Sequence, residues 1–299
     1  IADLTDAEQY APDNDNSDRT KMTKTVAQAM LAKVYAEKEV QDYDKVIAYA
    51  DKVMNTTGVE LEDSYETLWG YDETAIDCMK RNTKEGILEV HWSGGGNWET
   101  WMYGRQLDNW DYYFTWAKWI TPSRDIINDF DKEGDEVRKN QAIVYYACTW
   151  SNYYPASNYP FMYKLRSSYN NIYWVRLADI ILMKAEAEAY KGNLAESAKL
   201  VNQIRKRAKL KELTSDKTGS KESMIEAVLH ERRLELAFEG ERWFDLCRNN
   251  KVEKYLNGID NRDSGRIRQV RQFDSNSYLL PIPQTALDQN TNLEQNPGY

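Results

Sequence analysis

Two stretches of the chain repeat the same helical plan, and they constrain the fold more than any other feature. In the first, TKTVAQAMLAKVYAEKEVQDYDKVIAYADKVMNTTG, apolar residues recur every three or four positions, which predicts two helices joined near Asp42 and ended by Gly58. The second, YWVRLADIILMKAEAEAYKGNLAESAKLVNQIRKRAKL, repeats the pattern, with Gly192 expected to end one helix and Asn193 to cap the next. Small alanines where the helices meet are typical of tetratricopeptide hairpins. The sequence therefore predicts a mainly all-α fold of tetratricopeptide-like helical hairpins.

A long aromatic insertion separates the two hairpins. We expect one domain over residues 1–299, with a helical scaffold at 20–58 and 172–250, an inserted ligand-binding region at 59–171 and an irregular C-terminal segment at 251–299. The insertion contains a short strand in EGILEVHW and a glycine-rich turn, and six of the ten tryptophans lie between Trp92 and Trp119. Long irregular loops with a little β structure are therefore predicted to interrupt the helices. Near the end, Pro281 and Pro283 exclude a regular helix and predict an extended tail.

Exposed aromatic rings beside polar side chains suit carbohydrate ligands. An indole or phenol ring covers the apolar C–H face of a pyranose, while amides, carboxylates and guanidinium groups bond to its hydroxyls. We predict glycan contacts from the following residues of the insertion: Trp92, Asn97, Trp98, Trp101, Tyr103, Arg105, Asp108, Trp110, Tyr153 and Tyr154. The alternative is that such rings fill a core beneath the insertion. We favour that alternative for Trp116 and Trp119, in the predicted helix FTWAKWI.

Charge and composition exclude several classes of function. The net charge of −9 and the pI near 5.0 argue against a nucleic-acid-binding surface, which normally carries a basic face. No run approaches the ~20 apolar residues that cross a bilayer. The three cysteines lie far apart without a CxxC pair, so neither a disulfide framework nor a zinc knuckle is predicted. The first residues show no initiator Met or signal-peptide pattern, so we expect a processing boundary there.

The stretch HERRLELAFEGERWFDLCR begins like a zinc-protease helix, but Leu234 stands where HExxH requires its second histidine. Its periodicity instead predicts one helix from about Lys221 to Asn250, with Phe244 in the apolar stripe.

Arginines occupy two positions of that stripe, Arg232 and Arg233. Buried guanidinium groups need carboxylate or carbonyl partners, so we predict that both arginines bind neighbouring helices together. The same helix carries a row of like charges at Glu231, Glu235 and Glu239, which is unfavourable unless cations relieve it. A structural ion-pair network is the favoured interpretation, and an acid/base site is the alternative.

Metal and catalytic sites receive weaker support. The only histidines, His91 and His230, have no Cys or His at ligand spacing, so no zinc site is predicted. The run DFDKEGDEVR lacks the acidic position 12 of an EF-hand loop, so calcium at residues 129–136 is a weak alternative to a solvated helix-to-loop turn. No cofactor is otherwise predicted. Paired carboxylates leave a glycoside hydrolase open, and a tetratricopeptide scaffold that binds a partner peptide is a further alternative.

Four segments resemble successive signatures of the SusD/RagB-like outer-membrane proteins of Bacteroidetes-type bacteria: VRLADIILMKAEAEAYKGN, LVNQIRKRAKL, HERRLELAFEGERWFDLCR and YLLPIPQTALDQNTNLEQNPGY. EGILEVHW and WITPSRDIINDF are similar to the middle portion of that family. The resemblance implies an α-helical fold on four tetratricopeptide pairs with ligand-binding loops inserted among them.

The resemblance also implies a function. Members are surface lipoproteins of the outer membrane that bind glycans without catalytic activity and serve a SusC-like TonB-dependent transporter, and a minority bind peptides. The family's N-terminal part, with its lipidated Cys, has no counterpart in this sequence, so we expect this chain to be a C-terminal part. Because the family's ligand contacts lie in variable loops, the resemblance assigns no binding residue. Those predictions rest on the aromatic pattern.

Overall fold

A computed structural model describes most of the chain, namely residues 1–72, 74–75, 77–92, 121–147, 153–166, 169–265 and 271–299. The chain divides into two compact units, Ile1–Arg242 and Trp243–Tyr299. Helices dominate the described residues, and the strands form three short two-stranded antiparallel sheets. The predicted mainly helical fold with a little β structure is confirmed.

The first unit contains the two hairpins and the sheets. Its helices are α1 (Ala2–Tyr10), α2 (Lys24–Ala36), α3 (Tyr43–Met54), α4 (Tyr65–Trp69), α5 (Arg124–Glu133), α6 (Glu136–Ala142), α7 (Leu177–Lys191), α8 (Leu194–Arg207), α9 (Ser215–Thr218) and α10 (Lys221–Glu235). Its strands are β1 (Tyr71–Asp72), β2 (Asp77–Cys78), β3 (Gly86–His91), β4 (Ile143–Tyr146), β5 (Tyr159–Met162) and β6 (Asn171–Arg176). β1 pairs with β2, β3 with β6, and β4 with β5. The start of the predicted scaffold at residue 172 is thus a strand and not a helix.

Both predicted hairpins form. Helices α2 and α3 meet at Asp42, whose carboxylate accepts a hydrogen bond from the backbone N–H of Lys45 and caps α3. Helix α3 ends at Met54, and Gly58 lies in the turn that follows, with a φ of 79°. Gly192 ends α7 in the left-handed conformation, as predicted.

Helix α7 lies at the centre of the core of the first unit. It packs against α2, α3, α8 and α10. Its four alanines, Ala178, Ala185, Ala187 and Ala189, are fully buried, because only small side chains let the neighbouring helices approach closely. Around them lie aliphatic side chains from the other helices, each of which contributes roughly 1.5–3 kcal/mol when fully buried. This core gives β6, which leads directly into α7, a rigid base.

The single long helix predicted from Lys221 to Asn250 is wrong. Helix α10 ends at Glu235, Phe238 and Gly240 have left-handed φ values of 66° and 88°, and the next helix begins at Arg242. The physical reason is a pair of buried cations. The carbonyl oxygen of Glu235 accepts hydrogen bonds of 2.9 Å from Arg176 Nη2 and from Lys164 Nζ. The helix therefore stops where these two side chains bind its last carbonyl group.

The second unit contains most of α11 (Arg242–Arg248), then α12 (Val252–Leu256), α13 (Ile259–Arg262), a 3₁₀ turn at Ser275–Tyr278 and α14 (Gln284–Gln289). Phe244, which the predicted stripe would bury, is exposed. Helix α14 begins directly after Pro283, so the expectation of a wholly extended tail is also wrong. The tail is held by its own bonds, since the backbone N–H and carbonyl of Ile282 both bond to the side chain of Gln295.

Candidate functional site

A buried ionic cluster surrounds Glu235 at the end of α10. Its carboxylate accepts hydrogen bonds from Arg207 (2.6 Å), Arg176 (2.7 Å), Arg138 (3.2 Å) and the hydroxyl of Tyr65 (2.6 Å). Burial alone would raise the pKa of Glu235, but the guanidinium groups of Arg207, Arg176 and Arg138 outweigh it and hold this pKa well below its ordinary value. The carboxylate is therefore ionised and enclosed by cations.

The other two glutamates of the predicted row, Glu231 on α10 and Glu239 beyond its end, also have cationic partners. Glu231 pairs with Arg138 and Arg205, and Glu239 with Lys164 and Arg176. The predicted relief of this row by cations is confirmed. The three carboxylates are buried or nearly so. Carboxylates enclosed by cationic side chains in this way are poorly placed to exchange a proton with a substrate, so the structural interpretation of the cluster is favoured over an acid/base site.

Arg232 and Arg233 both bind other helices, as predicted. The fully buried Arg232 donates to the carboxylate of Asp179 on α7 at 2.7 Å and to its carbonyl oxygen at 3.1 Å. Lys33 on α2 pairs with the same carboxylate at 2.7 Å. Burial would raise the pKa of Asp179, but Lys33 and Arg232 together lower it. Three helices are thus joined through one carboxylate.

The acidic segment at residues 129–136 faces basic side chains of the protein itself. Its pairs are Asp129 with Arg233, Asp131 with Lys139, Glu133 with Arg205 and His230, and Asp135 with Arg138. Asp135 is fully buried at the start of α6, so the expectation of a solvated turn is wrong at this residue. Over the described residues, no group of three or more His, Cys, Asp or Glu side chains is placed to hold a metal ion.

The predicted glycan contacts are only partly within the described structure. Trp92, Tyr153 and Tyr154 are described. The others lie outside the described residues, as do the two tryptophans assigned to a core: Asn97, Trp98, Trp101, Tyr103, Arg105, Asp108, Trp110, Trp116 and Trp119.

Trp92 directly follows β3 and continues its pairing with β6. Its backbone N–H donates to the carbonyl of Asn170 at 3.0 Å, and its carbonyl accepts from Arg81 Nη2 at 2.6 Å. The guanidinium of Arg81 is oriented by Asp77, at 2.6 Å. The Nε1 atom of Trp92 and the Nη1 atom of Arg81 are both buried without a hydrogen-bond partner. Each such buried donor costs roughly 1–3 kcal/mol unless an acceptor reaches it.

Tyr153 and Tyr154 form a compact aromatic group with Arg124. Their rings meet edge to face with centroids 4.7 Å apart, and the guanidinium of Arg124 lies 4.5 Å and 4.0 Å from the two centroids. The hydroxyl of Tyr154 donates to the carbonyl of Pro122 at 2.9 Å. Both tyrosines are half-buried. Tyr154 is thus fixed by internal contacts, and the use of either ring by a ligand stays a prediction.

Sequence reasoning missed an exposed indole in β6. Trp174 is 64% exposed, whereas Tyr173 and Val175 on either side of it are buried. No alternation in the sequence would find it, because residues 172–175 form an uninterrupted apolar run, and the outward face is seen only in the observed burial pattern. Its side chain makes no hydrogen bond or ring contact with the described residues.

Trp174 shares a face of the β3–β6 sheet with Trp92. Residues two apart on a strand point the same way, which groups Ile172 with Trp174 and Val90 with Trp92. Because Val90 pairs directly with Ile172, both groups lie on one side of the sheet. We call this surface the ribbon face and define it as Val90, Trp92, Ile172 and Trp174.

A separate pocket of about 530 Å³ lies among α2, the end of α3 and the loop before α2. Its lining consists of polar side chains such as Asn14, Asn16, Lys24, Lys52 and Gln28, with no aromatic ring. Such a lining offers hydrogen bonds but no stacking surface, so it suits a pyranose chain less well than the ribbon face.

Known proteins resemble this chain both in sequence and in fold. A family model described as the SusD family matches residues 156–299, from the turn before β5 through the end of the tail. The matched residues carry the signature of the SusD family. The signature segments from α7 to the tail all lie within that match, so the resemblance inferred from the sequence is confirmed.

Individual relatives extend the likeness over the whole chain. SusD-like protein P2 of Formosa agariphila is 27% identical and aligns with 100% of this chain, which spans 64% of that protein's length. A SusD-like protein of Bacteroides fragilis superposes with a TM-score of 0.75 at 21% identity, covering 100% of this chain and 70% of that one. A SusD-like carbohydrate binding protein of Bacteroides vulgatus superposes with a TM-score of 0.62 at 17% identity, covering 83% and 50%. These structures share the SusD-like fold. In the described part of this chain, no helix is long and apolar enough to cross a membrane.

Proposed function

We propose that this SusD-like chain is a non-enzymatic binding protein for oligo- or polysaccharides. It belongs to a surface lipoprotein of the outer membrane that passes its ligand to a SusC-like TonB-dependent transporter. The match to the SusD family supports the general role of a glycan-binding accessory protein. The observation that carries the ligand class is Trp92 at the end of β3, where the tryptophan-rich segment begins and two donors stand without partners. Sugar hydroxyls would satisfy those donors, and indole rings would cover the pyranose faces.

The ionic cluster favours binding over hydrolysis. A glycoside hydrolase needs two carboxyl groups facing a shared open site, roughly 5–10 Å apart. The carboxylates of the predicted glutamate row are instead enclosed and paired with arginine and lysine. They join elements of the first unit to one another and are not available to a sugar.

Calorimetric titration with a panel of plant, host and microbial polysaccharides tests the proposal. We expect heat of binding with at least one polysaccharide and no release of reducing ends during incubation. Binding of peptides and of no polysaccharide would contradict the ligand class. Release of reducing ends that depends on a single carboxylate would make the protein a hydrolase.

Substitution of Trp98 or Trp101 by alanine tests the aromatic contacts. We expect either change to raise the Kd for the glycan roughly 5- to 30-fold, the effect of losing about 1–2 kcal/mol of stacking and burial. The melting temperature should stay nearly the same, because a ring that contacts ligand is exposed in the free protein. A large drop in melting temperature would instead place these rings in the core.

A further inference from the structure

We infer that the ribbon face is itself a glycan-binding platform on which Trp174 supplies a second stacking ring. This inference rests on the proposed function, since it names a further part of the surface that the same ligand would contact. A large indole that is 64% exposed and has no hydrogen bond or ring contact with the described residues is unusual on a structural strand. A ligand that covers it would gain the stacking surface that the fold leaves open.

The two indoles are spaced for a chain of sugars. Trp92 lies opposite Asn170, which directly precedes β6 and is four residues before Trp174. At ~3.3 Å per residue this separation is roughly 13 Å along the sheet, too far for one pyranose ring to contact both tryptophans. Half-buried Val90 and Ile172 lie between them and form an apolar floor. The surface therefore suits an oligosaccharide that lies along the strands.

The face of the sheet opposite the ribbon face is held by contacts with the rest of the protein, so the ribbon face is ordered before a ligand binds. The ring of Tyr173 meets that of Trp69 edge to face at 5.0 Å, and the side chain of Asn171 donates to the carbonyl of Lys80 at 2.6 Å. On β3, the backbone N–H of Glu89 donates to the carbonyl of Arg19 at 2.9 Å. A surface whose support is already ordered loses little entropy on binding.

A shift in strand register lies next to Trp174. The regular pairing of β3 with β6 is interrupted between Leu88 and Glu89, opposite the segment from Tyr173 to Val175. Such irregularities increase local twist and are common beside functional sites because they redirect a side chain. Here the shift lies directly across from Trp174.

Polar groups at one end of the ribbon face distinguish a glycan from a purely apolar partner. The unpartnered donors of Trp92 and Arg81 lie where β3 ends, and the exposed indole of Trp174 lies toward the other end. An apolar protein surface would leave those donors unsatisfied, whereas a sugar chain supplies hydroxyl acceptors as well as C–H faces. The combination favours a carbohydrate.

The test is the variant Trp174→Ala, titrated with the polysaccharide that the wild-type protein binds and with its oligosaccharides of increasing length. We expect the Kd for the longest ligands to rise roughly 5- to 30-fold, with little change for a monosaccharide and a nearly unchanged melting temperature. Trp174→Phe should recover part of the affinity. Tyr10→Ala serves as the matched control, because Tyr10 is an exposed aromatic residue on α1, away from the sheet, and its loss should leave the Kd unchanged.

The outcomes separate the two proposals. If the wild-type protein binds no glycan, the proposed function fails. If it binds glycan and Trp174→Ala has the wild-type affinity at every ligand length, the ribbon-face inference is overturned while the proposed function stands. Loss of a protein partner by Trp174→Ala with unchanged glycan affinity would also overturn the inference, because the indole would then serve a protein interface.

Discussion

Replacement of Arg176 by methionine is expected to lower the free energy of unfolding by about 3–5 kcal/mol, the cost of breaking a buried ion pair by removing one partner. Arg176 is buried and donates to Glu85, Glu235 and Glu239, and it also binds the carbonyl group that ends α10. Its loss leaves carboxylates enclosed with fewer cations. Because domains are typically stable by only 5–15 kcal/mol, the loss is a large fraction of the total. Urea denaturation followed by circular dichroism measures it.

Arg233→Met is the matched control for this prediction. Arg233 also bridges two carboxylates, Asp125 and Asp129, but its side chain is 17% exposed, so water can partly solvate the groups left behind. We expect a clearly smaller loss than for Arg176→Met. An Arg176→Met protein as stable as the wild type, or less affected than Arg233→Met, would show that the ionic cluster does not hold the scaffold together.

Acid is expected to destabilise the protein steeply between about pH 4.5 and pH 2. The pKa of Glu133 is lowered from 4.5 to about 2, chiefly by its hydrogen bond with His230 and then by Arg205. The pKa values of Glu235 and Asp179 are also lowered, because their cationic partners outweigh burial. A carboxyl group with a depressed pKa in the folded state contributes stability above its unfolded pKa and loses it as the pH falls toward the folded value. The unfolded chain takes up more protons in this range, so the free energy of unfolding decreases.

Two buried carboxyl groups act in the opposite direction. Burial raises the pKa values of Asp135 and Glu241, and this favours the protonated form in the folded protein. The measured slope of the free energy of unfolding against pH reports the balance between the carboxyl groups with lowered pKa values and those with raised pKa values. We expect Glu133→Gln to make the free energy of unfolding fall less steeply with decreasing pH, because one depressed group is gone. Glu196→Gln, on the surface of α8, is the control. Identical slopes for wild type and Glu133→Gln would contradict the role of Glu133.

Local patterns in the sequence predict the helical hairpins correctly, because the relevant signals lie within a few residues of the structure they specify. Asp42 caps α3 through its own side chain, and Gly192 ends α7 because glycine adopts the left-handed conformation at low cost. The inward role of Arg232 follows similarly from its position in an apolar stripe. Such features need no knowledge of distant parts of the chain.

The end of α10 could not be predicted in this way. Glu235 and the residues after it have good helical periodicity, but Lys164 and Arg176 bind the Glu235 carbonyl. Those two side chains come from a different part of the sequence, and only the tertiary fold brings them to α10. The strand character of residues 171–176 likewise depends on pairing with β3, far earlier in the chain. Trp174 was missed for this reason, since an apolar run leading into α7 resembles the start of a helix.

The candidate site, too, could be predicted only in part from the sequence. Composition alone identified an aromatic insertion. Trp92 is the first residue of its tryptophan-rich segment, and the indole N–H of Trp92 is one of the two unpartnered donors. The register of β3 and β6, which composition cannot give, relates Trp92 to Trp174 on one surface. The assignment of the remaining contacts, from Asn97 to Trp110, stays a prediction from the aromatic pattern.

We propose that the charged helix α10 stabilises the scaffold, whereas aromatic surfaces elsewhere in the chain bind the glycan. The most direct test measures both the free energy of unfolding and the glycan Kd on the same samples of wild-type protein and Arg232→Met. Arg232 is fully buried against Asp179, so we predict a large loss of stability with an unchanged Kd for the protein that remains folded. Unchanged stability together with lost glycan binding would contradict the claim and place α10 in the ligand site.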